Sequence, residues 1–150
     1  MRRREFIGLA GAAAVVWPLV VHAQQRDEVR RIGVLVNVAA DDPEAQAISA
    51  MFKQSMQQLG WNDEHNVKID FRGAAGDPER MQALAKELVA LKPNVILTRS
   101  TPVTAAILRQ TRTIPIVFTV VSDPVGDHFV ESLARPGGNA TGFTNVEFPR

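Results

Sequence analysis

The chain lacks cysteine and tyrosine altogether and has only three histidines among its 150 residues. Without cysteine it can form neither disulfide bonds nor thiolate metal sites. The three histidines (His22, His65 and His128) are too far apart in sequence to suggest a shared set of ligands. We therefore predict no metal site and no cofactor.

An excess of basic residues is also missing once the N-terminus is set aside. The whole chain has 17 basic and 16 acidic residues, of which residues 1–23 hold three arginines and one glutamate. The remaining 14 basic and 15 acidic residues give a net charge of −1. Such a chain has no basic face with which to displace counterions from phosphates, so we predict no nucleic-acid partner.

The common catalytic motifs are missing as well. The chain has no G-x-S-x-G nucleophile elbow, no G-x-G-x-x-G after its first strand-like run, and no Lys-Ser/Thr pair after "GAAGD" to make a P-loop. These absences argue against an enzyme and favour a binding function. A small exported α/β enzyme with an unrecognised site is the alternative, which turnover on a panel of amides and esters would support.

The N-terminus, by contrast, carries a clear pattern. Residues 1–23 combine a basic start, an uncharged Ala/Gly-rich stretch and small residues before a cleavage point after Ala23, as in an export signal peptide. The start also resembles the twin-arginine motif, whose positions here are Arg3, Arg4, Phe6 and Ile7. We therefore expect export by the twin-arginine machinery, a mature chain that begins at Gln24, and a periplasmic location.

The rest of the chain alternates strand-like and helix-like patterns. The apolar runs "RIGVLVN", "VILT" and "IPIVFTVV" predict buried strands, whereas "VKIDFR" alternates strictly and predicts an edge strand. Helical periodicity lies between the strands, including a last helix over 125–134, before a fifth strand in "NATGFTNV". The order predicts an α/β fold in which a parallel sheet is flanked by helices, with the flavodoxin-like strand order 2-1-3-4-5.

Two further patterns concern the predicted helices. Asp-Pro pairs at 42–43, 77–78 and 123–124, and Thr101-Pro102, predict N-caps followed by proline in the first turn. The inner face of the first helix is predicted to comprise Ile48, Met51, Phe52, Met56 and Leu59.

The helix starts lie at the carboxyl ends of the parallel strands, where open sheets of this type bind ligands. The predicted strand order places a crevice between the first and third strands. The candidate ligand-binding residues there, and one strand further on, are Asn37, Val38, Ala39, Arg99, Ser100, Thr101, Ser122 and Asp123. Amides, hydroxyls, a guanidinium and an acid suit a small polar ligand, such as a zwitterion, and do not form a catalytic set.

Several stretches together resemble one family. "IGVLVNVAADDPEAQA", "LVALKPNVIL", "TIPIVFTVVSDPVG" and "FVESLARPGGNATGFTN" are similar to the ABC-transporter substrate-binding proteins of the tryptophan/tyrosine-type group, which have a type I periplasmic-binding fold. The resemblance implies a two-lobed protein that traps a small ligand, such as an amino acid, and delivers it to an ABC permease. It places ligand contacts after the first, third and fourth strands.

The chain departs from the family pattern in two ways. Relatives often have glycine where this chain has Arg99, so a long cation enters or shields the predicted cleft. Family members are also longer, so residues 24–150 are expected to be the N-terminal lobe of a truncated protein, with the second lobe absent. A domain that dimerises to complete its sheet is a further alternative, which mass in solution at several concentrations would test.

Overall fold

The computed structural model describes residues 28–144 of the chain. The predicted export signal, with its arginine motif and its cleavage point after Ala23, lies outside the described residues. Within residues 28–144, every helix is too short or too polar to cross a membrane. The elements are β1 (Arg30–Val36), α1 (Pro43–Gln58), β2 (Val67–Gly73), α2 (Pro78–Ala90), β3 (Val95–Arg99), α3 (Thr101–Gln110), β4 (Ile116–Val121) and β5 (Ala140–Thr144).

The five strands form one parallel sheet in the order β2-β1-β3-β4-β5. The predicted fold class and strand order are therefore confirmed. β2 lies at one edge, as its alternating sequence indicated: Val67 and Ile69 are buried, whereas Lys68 and Asp70 are partly exposed. The central strands β1 and β3 are paired over Ile32–Val36 and Val95–Arg99.

Alternation along β1 divides the apolar core between the two faces of the sheet. Leu35 faces the larger cluster, which α2 and α3 cover and which includes Leu88, Ile107 and Phe118. Val34 faces the smaller cluster, which α1 covers. A parallel sheet needs helices on both faces, because both sets of apolar side chains must be removed from water.

The inner face of α1 is narrower than predicted. Ala45 is buried and Phe52 and Met56 pack against the smaller cluster, but Met51 is 67% and Leu59 75% exposed. At 3.6 residues per turn, Met51 lies about 120° around the helix from Ala45 and so faces away from the sheet. Leu59 is the C-cap residue just after α1, beyond the last helical position.

The predicted helix over 125–134 does not form. One turn is closed by the Asp127 N–H, which donates to the Asp123 carbonyl at 2.9 Å, and the chain then adopts a left-handed conformation at His128 (φ 58°). Gly126, Asp127 and His128 have weak helix propensity, so the pattern alone does not propagate a helix there. Val130 is nevertheless buried against the larger cluster.

The predicted N-caps have mixed outcomes. Asp42 accepts a hydrogen bond from the Glu44 N–H, and Asp77 accepts two, from the N–H groups of Glu79 and Arg80. Asp123 closes a turn instead of starting a helix. Thr101 is not the cap of α3 but its first residue; Ser100 occupies the cap position, and its hydroxyl makes no capping bond.

Candidate ligand site at the carboxyl edge of the sheet

The loops after β1 and β3 lie side by side at the carboxyl edge of the sheet. Val36 is paired with Arg99, so the next residues along the two strands, Asn37 and Ser100, leave the sheet at adjacent points. β4 is the next strand, with Thr119 paired to Arg99, and the loop with Ser122 and Asp123 follows it. The topology thus brings the candidate residues from three separate segments to one edge.

The loop after β1 is held down on the end of β2. The Val36 carbonyl accepts from the Ala74 N–H at 2.9 Å, and the Asn37 carbonyl accepts from the Gly76 N–H at 2.6 Å. Gly73 makes this approach possible, because a Cβ there would collide with backbone atoms of Val38, Ala39 and Ala40. The position of the 37–40 loop therefore depends on a residue of the neighbouring strand.

Two side-chain atoms at this edge are buried without a partner. Asn37 Oδ1 and Ser100 Oγ have no hydrogen-bond partner among residues 28–144. Most buried polar atoms in proteins are hydrogen-bonded, because a buried atom without a partner has lost its hydrogen bonds to water and gained none in their place. Asn37 Oδ1 accepts hydrogen bonds and Ser100 Oγ can donate one. The pair therefore complements a molecule that carries both a donor and an acceptor.

The backbone is strained at the carboxyl ends of β3 and β4, beside these two buried atoms. Ser100 has φ 102° and ψ 155°, a region that glycine occupies almost alone. Val120 has φ 55°, and the pairing of β4 with β5 shifts register between Phe118 and Val121. Such strain persists only where the surroundings impose it, and it clusters at ligand sites.

Arg99 is not free at the edge. Its guanidinium Nη1 lies 3.1 Å from Glu44 Oε1, in the first turn of α1. Arg99 follows Leu97 on the α1 side of the sheet, so its side chain reaches toward α1 and away from α2 and α3. Sequence reasoning did not identify Glu44 as its partner, because the two residues belong to different elements and no local spacing relates them.

The remaining candidates differ in burial. Val38 packs against the smaller core cluster, and Ala39 forms an isolated bridge with Ala74. Thr101 is half-buried at the start of α3. Ser122 and Asp123 are exposed, and Asp123 Oδ1 accepts from the Gly126 N–H at 2.8 Å.

Within residues 28–144, no group of three or more His, Cys, Asp and Glu side chains is placed to hold a metal ion. The polar side chains at the edge come from different loops and include no histidine. The arrangement is suited to hydrogen bonding of a small molecule.

Known proteins are similar to this chain in both sequence and fold. Residues 31–148 match the family model described as ABC transporter substrate binding protein. Over 119 residues the chain is 32% identical to a tyrosine-binding protein of Clostridioides difficile (strain R20291), with 79% of this chain and 34% of that protein covered. The chain thus spans about a third of the length of this relative.

Two solved structures are similar throughout most of the chain. A ligand-free, open substrate-binding protein with adhesive properties from Clostridium difficile gives a TM-score of 0.72 at 33% identity, over 79% of this chain and 40% of that one. An ABC domain in complex with L-Trp from Streptococcus pneumoniae gives 0.68 at 30% identity, over 77% and 38%. The family match and these relatives agree, and the chain belongs to the ABC transporter substrate-binding proteins, a class of binding proteins and not of enzymes.

Proposed function

We propose that this chain supplies one wall of the ligand cleft of a periplasmic solute-binding protein that serves an ABC importer. The observation that carries the proposal is the pair of buried, unpartnered atoms on adjacent strand ends, Asn37 Oδ1 and Ser100 Oγ. The strand ends where they lie are the usual ligand position in open parallel sheets. Arg99, Thr101, Ser122 and Asp123 would surround the ligand from the neighbouring positions.

The chemistry of the wall favours an amino acid as ligand. Asn37 Oδ1 would accept from an ammonium group, and Ser100 Oγ would donate to a carboxylate oxygen. The exposed Asp123 carboxylate offers a second partner for the ammonium. Relatives named for tyrosine binding and solved with L-Trp support an aromatic amino acid as the first ligand to test.

The second wall of the cleft would come from another lobe. We propose that residues 24–150 form the N-terminal lobe, because the chain covers only 34% to 40% of its similar relatives. Trapping by closure requires two lobes that move about a hinge. The loaded protein would then dock on a permease of the inner membrane.

Isothermal titration calorimetry tests the binding proposal directly. The exported protein, purified from the periplasm, should bind L-tyrosine or L-tryptophan, and Ser100→Ala should weaken that binding about tenfold because one hydrogen bond to a charged group is lost. Ser132→Ala is the matched control, since this serine bonds within a surface turn at Arg135. Equal affinities for Ser100→Ala and Ser132→Ala would remove Ser100 from the site.

Mass spectrometry of the same preparation tests the export and lobe proposals. The N-terminus should be Gln24, and replacing Arg3 and Arg4 by lysine should leave the precursor in the cytoplasm. A species larger than this chain would support a two-lobed protein. A species from Gln24 to Arg150 would contradict capture by closure and direct attention to self-association.

A further inference from the structure

Two threonines outside the proposed ligand site form a chain of hydrogen bonds that ends at Ser100. The Thr104 hydroxyl lies 2.9 Å from the Ser100 carbonyl and 2.8 Å from the Thr98 hydroxyl. Thr98 and Thr104 are both fully buried between β3 and α3. The two threonines therefore lie next to Ser100, on the face of the sheet that α2 and α3 cover.

The direction of these hydrogen bonds follows from the number of protons. A threonine hydroxyl has one proton, and Thr104 uses it on the Ser100 carbonyl, which can only accept. Thr104 Oγ1 must then accept from Thr98, so Thr98 donates to Thr104 and Thr104 donates to Ser100. The Ser100 carbonyl also accepts from the Thr104 N–H at 3.1 Å.

The other side of Ser100 is held by β4. The Ser100 N–H donates to the Thr119 carbonyl at 3.0 Å, and the Thr119 hydroxyl donates to the Thr98 carbonyl at 3.2 Å. Both peptide groups of Ser100 are thus anchored while its own hydroxyl has no partner among residues 28–144. The anchoring maintains φ 102°, a value that a serine would otherwise leave.

We infer that Thr98 and Thr104 are positioning residues that aim the Ser100 hydroxyl into the cleft. The inference rests on the proposed function, since it assigns a purpose to the same site. Without the Thr104 proton, Ser100 loses one of the two hydrogen bonds at its carbonyl and relaxes toward negative φ. Its hydroxyl then turns away from the point where a ligand would meet it.

The double variant Thr98→Val/Thr104→Val separates positioning from simple core stability. Thr104→Val alone leaves the Thr98 hydroxyl buried without an acceptor, which destabilises the protein. Removing both hydroxyls replaces a polar pair by an apolar pair of the same shape, which is often nearly neutral for stability. We expect the double variant to regain thermal stability but to bind L-tyrosine or L-tryptophan about tenfold more weakly than the parent.

Two controls accompany this measurement. Thr111→Val removes another buried threonine hydroxyl, which accepts from the N–H groups of Thr113 and Ile114 at the far end of α3, and should leave affinity unchanged. Thr104→Ser keeps the hydroxyl and should bind the ligand as tightly as the parent does. Recovery of both stability and affinity in the double variant would overturn the inference, because a structural role alone predicts it.

Nuclear magnetic resonance supplies a readout that needs no ligand. The Cα and Cβ chemical shifts of Ser100 report its backbone conformation, and they should change in Thr104→Val and in the double variant but not in Thr111→Val. Unchanged shifts in the double variant would overturn the inference. If Ser100→Ala binds as tightly as the parent, the proposed site itself is wrong, whereas weak binding by Ser100→Ala with normal binding by the double variant contradicts only the positioning role.

Discussion

The Arg99 guanidinium lies 3.1 Å from the Glu44 carboxylate, and this ion pair connects the end of β3 to the first turn of α1. Both side chains are partly exposed, so the pair contributes little to stability. Its effect is local: the charge of Arg99 is balanced by an acid from the neighbouring element.

Glu44→Gln should therefore change ligand preference more than stability. The free energy of unfolding should fall by less than about 1 kcal/mol, as for other exposed pairs. The uncompensated guanidinium should raise affinity for L-glutamate relative to L-glutamine, measured by calorimetry at low salt. Glu87→Gln, which breaks the Arg72 pair at 2.9 Å on the surface of α2, is the control; the same glutamate-to-glutamine ratio in both variants would place Arg99 outside the cleft.

Asp77→Ala should change stability, whereas Asp123→Ala should change ligand affinity. Asp77 caps α2 through two N–H groups, so its loss should cost about 1 kcal/mol of stability and leave affinity unchanged. Asp123 closes only a surface turn. If it also holds the ligand ammonium, Asp123→Ala should weaken binding by more than it lowers stability, as calorimetry and urea unfolding of each variant would show. An unchanged dissociation constant for Asp123→Ala would remove Asp123 from the site.

Gly73→Ala should disturb the site through the backbone. The added methyl group would meet backbone atoms of Val38, Ala39 and Ala40, which cannot rotate away as a side chain can. Overpacking of this kind costs about 1–3 kcal/mol, and the displaced 37–40 loop should also weaken ligand binding. Gly138→Ala, with open space around the new atom, should leave the urea midpoint and the affinity close to those of the parent. Equal midpoints for the two variants would contradict the close packing.

Lowering the pH should reduce the free energy of unfolding, in part by protonating Asp63. Burial by itself would raise the pKa of this carboxyl, but the Lys53 ammonium at 2.6 Å and the Ile69 N–H at 2.9 Å outweigh it and hold the pKa below the usual 3.8. A carboxyl whose pKa is lowered on folding stabilises the folded state above its unfolded pKa. That contribution disappears as the pH falls from 3.8 through the lowered folded pKa.

Urea unfolding between pH 7 and pH 2.5 measures this contribution. Asp63→Asn should be less stable than the parent at pH 7, and the difference should shrink below pH 3.8. A difference between Asp63→Asn and the parent that stays the same from pH 7 to pH 2.5 would contradict the lowered pKa of Asp63.

Most of the architecture was predictable because its signals are local. Buried parallel strands are continuous apolar runs, and the alternation in "VKIDFR" marked β2 as an edge. Once the strand order was set, the adjacency of Asn37 and Ser100 followed, because parallel strands end at the same edge. The missing helix after β4 shows the limit of pattern: Val125, Phe129 and Leu133 are spaced four residues apart, as on a helix, but Gly126, Asp127 and His128 do not sustain one.

Residue type and spacing along the chain were enough to predict the strand order, the first three helices and the family resemblance, and to propose a sheet edge for a ligand. The folded structure was needed to show that Ser100 adopts a glycine-like conformation between β3 and α3, that the Thr98 hydroxyl meets the Thr104 hydroxyl, and that Glu44 pairs with Arg99. These features arise where separate elements meet, so their energies depend on contacts that no local pattern encodes.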